Sequence, residues 1–131
     1  MNPSSIIVNI IPQLKDNYAY IIYDNKTKEA IVIDPAESES ILQILNKKNF
    51  TLKSILLTHH HNDHTSGVQN LLKHFNVPVY SPSKSIKGTT NLVKNLDYIN
   101  LKFISIEVLA TPGHTLDHVI YYDKKNKLLF S

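Results

Sequence analysis

The stretch THHHNDHTSG, from Thr58 to Gly67, places four of the chain's seven histidines and one aspartate within six residues. Imidazole and carboxylate groups together suit zinc, iron or manganese. The alternatives are a polar surface loop or an expression tag, but the internal position and the presence of Asp63 argue against a tag. The stretch therefore predicts a metal site.

The residues around this stretch predict where it lies in the fold. Residues 52–58 (LKSILLT) are almost continuously apolar, which is typical of a buried strand in a layered α/β sheet. Residues 66–75 place apolar side chains at the spacing of an amphipathic helix. The cluster therefore begins at the carboxyl end of a strand, where α/β sheets bind ligands. His59 and His61 project to one side if the segment is extended, and Asp63 and His64 follow where the chain turns.

A second cluster, TPGHTLDHVIYY, occupies residues 111–122. Pro112-Gly113 predicts a tight turn that presents His114 from a rigid corner. His59, His61 and His114 would then form a three-histidine site with an open position for water, which is the pattern of a catalytic zinc.

The other histidines are weaker candidates for ligands. His60 and His64 have the spacing of the His-Glu-x-x-His metalloprotease motif, but residue 61 is not glutamate, so we reject that motif. We expect His60 to pack or support a ligand, His74 to be solvated and His118 to make a structural hydrogen bond. Asp34 either caps the following helix or orients a ligand histidine, and the sequence leaves both alternatives open.

The apolar patterning predicts a mixed α/β fold in one domain over residues 1–131. We expect a largely antiparallel sheet over residues 6–34, extended by the strand before His59, with helices on one face. The opposite face should stay apolar and exposed, which would favour self-association. The predicted strands are 5–11, 18–24, 29–34, 52–58, 77–80, 103–108, 118–123 and 127–131, the predicted helices are 37–49 and 66–75, and 81–96 is ambiguous.

Composition excludes several classes of protein. The 131 residues include no cysteine, so neither disulfides nor thiolate metal sites can form. Every strong cation is a lysine, and the lack of arginine argues against a nucleic-acid reader. No apolar run approaches the roughly 20 residues that span a bilayer, and the amino terminus does not resemble a signal peptide. We therefore expect no membrane partner and a cytoplasmic protein.

Four segments resemble, in the same order, the glyoxalase II (hydroxyacylglutathione hydrolase) branch of the metallo-β-lactamase superfamily. THHHNDHTSG is similar to the His-x-His-x-Asp-His motif of that superfamily. The segments are IPQLKDNYAYIIYD (11–24), IVIDPAE (31–37), LLTHHHNDHTSG (56–67) and LATPGHTLDHVIYY (109–122).

The resemblance implies a two-metal hydrolase. It assigns His59, His61 and His114 to the first metal, and Asp63 and His64 to the second. In that family a water or hydroxide between the metals attacks S-D-lactoylglutathione and releases D-lactate and glutathione, a step in methylglyoxal detoxification. Zinc is the expected metal, with iron and manganese as alternatives, and Asp63 could also orient the water.

The resemblance also implies that residues 1–131 hold roughly the first half of the family's αββα sandwich. The family's bridging aspartate, a later histidine ligand and the segments that hold glutathione do not occur within these residues. We therefore expect an incomplete second metal site. Two alternatives remain: another reaction of the superfamily, including lactone or phosphodiester hydrolysis and single-iron persulfide oxidation, or a weak or inactive fragment that binds only metal or a partner chain.

Overall fold

The computed structural model describes residues 6–13, 17–58, 62–110 and 118–130, and for residues 17 and 62–66 only the backbone is described. Within these ranges the chain forms two helices and two β-sheets. The candidate ligands His59, His61 and His114, and also His60, lie outside the described residues. The described residues 58, 62, 110 and 118 flank these histidines on either side.

The first sheet has six strands in the order β1 to β6. Its strands are β1 (Ile6–Gln13), β2 (Asn17–Asp24), β3 (Glu29–Ile33), β4 (Thr51–Leu56), β5 (Val79–Ser81) and β6 (Asn91–Leu92). The first three strands pair antiparallel, as predicted. The pairs β3–β4, β4–β5 and β5–β6 are parallel, so the sheet is mixed, and the predicted antiparallel pairing holds for its first three strands only. The chain returns through a helix before β4 and again before β5, and such crossovers make strands parallel.

The two helices, α1 (Glu39–Lys47) and α2 (Asn62–Leu72), pack on one face of this sheet, as predicted. In α1 the acidic Glu39 lies in the first turn and Lys47 in the last, which suits the helix dipole. Apolar residues of both helices share one core with the sheet; among them are Ile41, Leu45, Val68, Leu71, Ile21, Val32 and Ile55.

A second, four-stranded antiparallel sheet covers the opposite face of the first. Its strands are β7 (Tyr98–Asn100), β8 (Ser105–Ala110), β9 (Val119–Asp123) and β10 (Leu128–Phe130), in the order β10-β9-β8-β7. Alternate residues of a strand point to opposite faces, so Ile31 and Ile33 face this sheet while Val32 faces the helices. The layers are thus helix, sheet and sheet, in agreement with the predicted truncated αββα architecture.

This second sheet corrects the prediction of an exposed apolar face. Ile31, Ile33 and Leu56 are fully buried against its residues Ile106 and Val108. The self-association predicted through that face therefore loses its physical basis. Neither of the helices in the described part of the chain is long and apolar enough to cross a membrane.

Candidate metal centre

The structure locates the flanks of the predicted ligands. His59 and His61 lie in the segment 59–61, and His114 lies in 111–117, both outside the described residues. Asp63 and His64 lie in the first turn of α2, where the backbone alone is described. The described ranges contain no group of three or more histidine, aspartate or glutamate side chains that could hold a metal ion. Whether the five ligands meet therefore stays a prediction.

The two histidine-bearing segments are joined at one point. Thr58 directly precedes His59, and its carbonyl oxygen accepts a hydrogen bond of 2.8 Å from the backbone N–H of Val119, at the start of β9. Residue 117 directly precedes His118, and His118 directly precedes Val119. The segment with His59 and the segment with His114 are thus anchored to the same residue pair.

Asp34 also holds Thr58 in place, through the Thr58 N–H and hydroxyl groups. Its buried carboxylate accepts hydrogen bonds from the Thr58 backbone N–H, at 2.9 Å to Oδ1, and from the Thr58 hydroxyl, at 2.7 Å to Oδ2. The N-cap position of α1 is Ser38, so Asp34 is not the helix cap. The alternative role, orienting a ligand histidine, stays a prediction.

The Asp34 backbone makes the turn that brings its carboxylate to Thr58. Its φ of 53° is left-handed, a conformation that aspartate tolerates better than most residues. Its N–H donates to the Leu56 carbonyl oxygen at 3.0 Å, which holds the turn against the end of β4.

Tyr121 makes a second link between the sheets. Its ring is fully buried in β9, and its hydroxyl donates to the carbonyl oxygen of Leu57. Burial raises the pKa of Tyr121 well above its usual value, and the negative charge of Asp34 raises it further. The phenol therefore stays a protonated donor. Sequence reasoning missed this residue. The available signal was its spacing, because Tyr121 lies on the same face of the predicted strand as the buried Val119 and Asp123.

Helix α2, which carries Asp63 and His64, lies against the residues that follow β3. Gly67 makes this possible, because a Cβ added there would lie 2.3 Å from the Pro35 carbonyl oxygen and 2.9 Å from the Ala36 carbonyl carbon. Both ends of the segment 59–66 are therefore fixed next to Asp34-Pro35: one end through Thr58, the other through Gly67.

The remaining histidines differ in exposure. His74 is exposed in the turn that follows α2, which confirms the prediction that it is solvated. His118 is half-buried at the residue before β9, and its structural hydrogen bond stays a prediction.

A family model described as "Metallo-beta-lactamase superfamily" matches residues 14–104, which is more than half of the chain. The chain belongs to the metallo-beta-lactamase superfamily. The matched range includes THHHNDHTSG and ends before His114.

Curated relatives and a solved structure agree with this membership. A hydroxyacylglutathione hydrolase of Wigglesworthia glossinidia brevipalpis is 46% identical over 93% of this chain and 47% of its own length. One of Yersinia enterocolitica is 41% identical over 87% of this chain and 46% of its own length. The crystal structure of BLEG-1 B3 metallo-beta-lactamase superposes with a TM-score of 0.81 at 27% identity, covering 94% of this chain and 70% of that one. The chain spans about half the length of the curated relatives it matches.

Membership of the metallo-beta-lactamase superfamily implies metal binding, and the donors present fit a divalent metal. The candidate set consists of imidazole and carboxylate groups with no thiolate, a combination suited to zinc, iron or manganese. The described flanks of these donors include Thr58 and Val119, which are buried and joined by a backbone hydrogen bond, and Gly67, which packs against the backbone of Pro35 and Ala36. Rigid anchoring of this kind is what a preformed metal site requires.

Proposed function

We propose that the chain is the amino-terminal part of a metal-dependent thioester hydrolase of the hydroxyacylglutathione hydrolase type. The observation that carries this proposal is the similarity to proteins of that name, at 41–46% identity over about nine tenths of the chain. The anchoring of both histidine-bearing segments at Thr58 supports it, because both segments must reach one centre.

We assign His59, His61 and His114 to a first metal, and Asp63 and His64 to a second. Zinc is the proposed metal, with iron and manganese as alternatives. A bound divalent ion would lower the pKa of a coordinated water and polarise the carbonyl group of the substrate. Within this chain, Asp63 would orient the water, and the bonds of Thr58 would hold His59 and the segment containing His114 in place.

The proposed substrate is a glutathione thioester, S-D-lactoylglutathione. Water adds its oxygen to the thioester carbonyl carbon, the carbon–sulfur bond breaks, and the sulfur takes up a proton to give glutathione and D-lactate. A thiolate leaves readily, so no strong general acid is needed, in agreement with the absence of a further predicted catalytic side chain. We propose that this chemistry takes place in the cytoplasm.

A second candidate function follows from the share of the relatives that the chain covers. The chain matches about half of their length, and in this alternative residues 1–131 lack groups that hold the substrate and act as a weak enzyme or as a metal-binding part. Positioning of the substrate supplies roughly 7–11 kcal/mol of barrier lowering, and losing half of the lower figure costs more than a hundredfold in rate.

The test compares substrate classes on the 131-residue protein loaded with zinc, iron or manganese. We expect weak or undetectable loss of the thioester absorbance of S-D-lactoylglutathione, and no hydrolysis of lactones or phosphodiesters that exceeds it. The His59→Ala variant is the control for residual activity. Preference for a lactone or a phosphodiester would contradict the thioesterase assignment. Robust thioester turnover that His59→Ala abolishes would show instead that these residues suffice.

A further inference from the structure

We infer that Thr58 is a positioning residue that fixes the His59 segment and the His114 segment relative to each other. This inference rests on the metal centre of the proposed function and assigns a role to a residue that is not itself a ligand.

Thr58 is fully buried, and its backbone and hydroxyl groups hold two different parts of the fold. Its N–H and hydroxyl donate to the two carboxylate oxygens of Asp34, at 2.9 and 2.7 Å. Its carbonyl oxygen accepts from Val119 at 2.8 Å. The residue therefore joins the end of β3, the end of β4 and the start of β9.

The two hydrogen bonds from Thr58 to the Asp34 carboxylate are stronger than hydrogen bonds between neutral groups. Asp34 is only 4% exposed, and hydrogen bonds to a buried carboxylate are shorter and roughly twice as strong as those between neutral groups. They fix the Thr58 side chain and its N–H together, so the peptide that leads into His59 has little freedom to rotate.

The two segments should depend on Thr58 to different degrees. His59 is the next residue, with its Cα about 3.8 Å away along the chain. His114 precedes Val119 by five residues and can lie up to about 18 Å from it. Loss of the Thr58 anchor should therefore disturb His59 most directly.

A purely structural role makes a different prediction. If Thr58 only stabilised the fold, its substitution would lower the free energy of unfolding and leave zinc affinity unchanged in the folded molecules. A positioning role lowers zinc affinity beyond the change in stability. Substitution of groups that support metal ligands costs roughly 10- to 100-fold in metal affinity.

The matched control, Ser54, lies in β4, four residues before Thr58. Ser54 is also fully buried, but its hydroxyl has no hydrogen-bond partner among the described residues. Ser54→Ala and Thr58→Val both delete one buried hydroxyl, but only Thr58→Val removes a bond to Asp34.

The experiment measures zinc affinity by competition with a chromophoric chelator, beside urea unfolding of the zinc-free proteins. We expect Thr58→Val to bind zinc roughly 10- to 100-fold more weakly, and Thr58→Ser, which keeps the hydroxyl, to restore most of the affinity. Ser54→Ala should bind zinc like the unsubstituted protein. Equal affinity in folded Thr58→Val, or an equal loss in Ser54→Ala, would overturn the inference.

Two further outcomes are decided by the same measurements. If Thr58→Val does not fold, Asp34→Asn replaces it, because an amide nitrogen cannot accept the Thr58 hydroxyl proton; unchanged zinc affinity in Asp34→Asn would overturn the inference. If the unsubstituted protein binds no zinc, the proposed metal centre fails, and that failure is visible before any variant is compared.

Discussion

Tyr121 illustrates how one side chain can join two sheets next to a candidate site. Its phenol lies between them and donates to the carbonyl oxygen of Leu57, which directly follows β4 of the first sheet and stands two residues before His59. Phenylalanine would fill the same space but leave the Leu57 carbonyl oxygen without this donor. A buried acceptor that loses its partner costs about 1–3 kcal/mol, more than a typical change at the surface.

We predict that Tyr121→Phe lowers the free energy of unfolding by about 1–3 kcal/mol near neutral pH. Tyr122→Phe is the matched control, because Tyr122 is only half-buried. Urea unfolding of both variants measures the difference. A loss in Tyr122→Phe as large as that in Tyr121→Phe would contradict the role given to the Leu57 bond.

The unsubstituted protein and Tyr121→Phe should also differ in how their stability depends on pH. The pKa of Tyr121 is raised in the folded state, so its protonated form contributes stability that is fully present below the unfolded pKa near 10. That contribution is lost as the pH rises above this value. The advantage of the unsubstituted protein over Tyr121→Phe should therefore shrink above about pH 10, and a difference that grows there would contradict the buried phenol.

At the scale of the elements, close packing at Gly67 fixes the position of α2. Intrinsic helix preference alone favours alanine over glycine by about 1 kcal/mol. A Cβ at Gly67 would meet backbone atoms of Pro35 and Ala36, which cannot rotate away as a flexible side chain could. Overpacking of this kind costs about 1–3 kcal/mol or more, so the contact should outweigh the preference.

We predict that Gly67→Ala lowers the free energy of unfolding by about 1–2 kcal/mol, net of the helix preference. Asn70→Ala, at an exposed position of the same helix, should leave stability within about 0.5 kcal/mol of the unsubstituted protein. Thermal or urea unfolding measures both. Stabilisation by Gly67→Ala would show that α2 can move away from Pro35.

Local patterns in the sequence predicted most elements but not how they pair. The apolar run before Thr58 and the stripe from Val68 to Phe75 indicated β4 and α2 correctly, although α2 begins at Asn62. Parallel pairing depends on contacts between distant segments. The pattern of residues 52–58 therefore indicated a buried strand, but it did not determine whether the neighbouring strands run parallel or antiparallel to it. Strands β6 and β7 were missed, because two or three residues carry too little periodicity to be recognised.

At the scale of the whole molecule, the order of the layers explains why the candidate centre lies where it does. Thr58 follows the first sheet, Val119 begins a strand of the second, and their hydrogen bond joins the sheets at one end. Sequence motifs predicted the ligand types, because imidazole spacing is local. They did not predict the bonds from Thr58 to Asp34 and from Tyr121 to Leu57, because these partners lie 24 and 64 residues apart along the chain.

We expect the segments containing His59 and His114 to converge on one metal. The most direct measurement is the zinc content of the dialysed protein by elemental analysis, for the unsubstituted chain, His114→Ala and His74→Ala. We predict close to one tightly held ion per chain, a sharp loss in His114→Ala, and no change in His74→Ala, because His74 is exposed in the turn after α2. Two ions that resist dialysis, or full zinc retention by His114→Ala, would contradict the account.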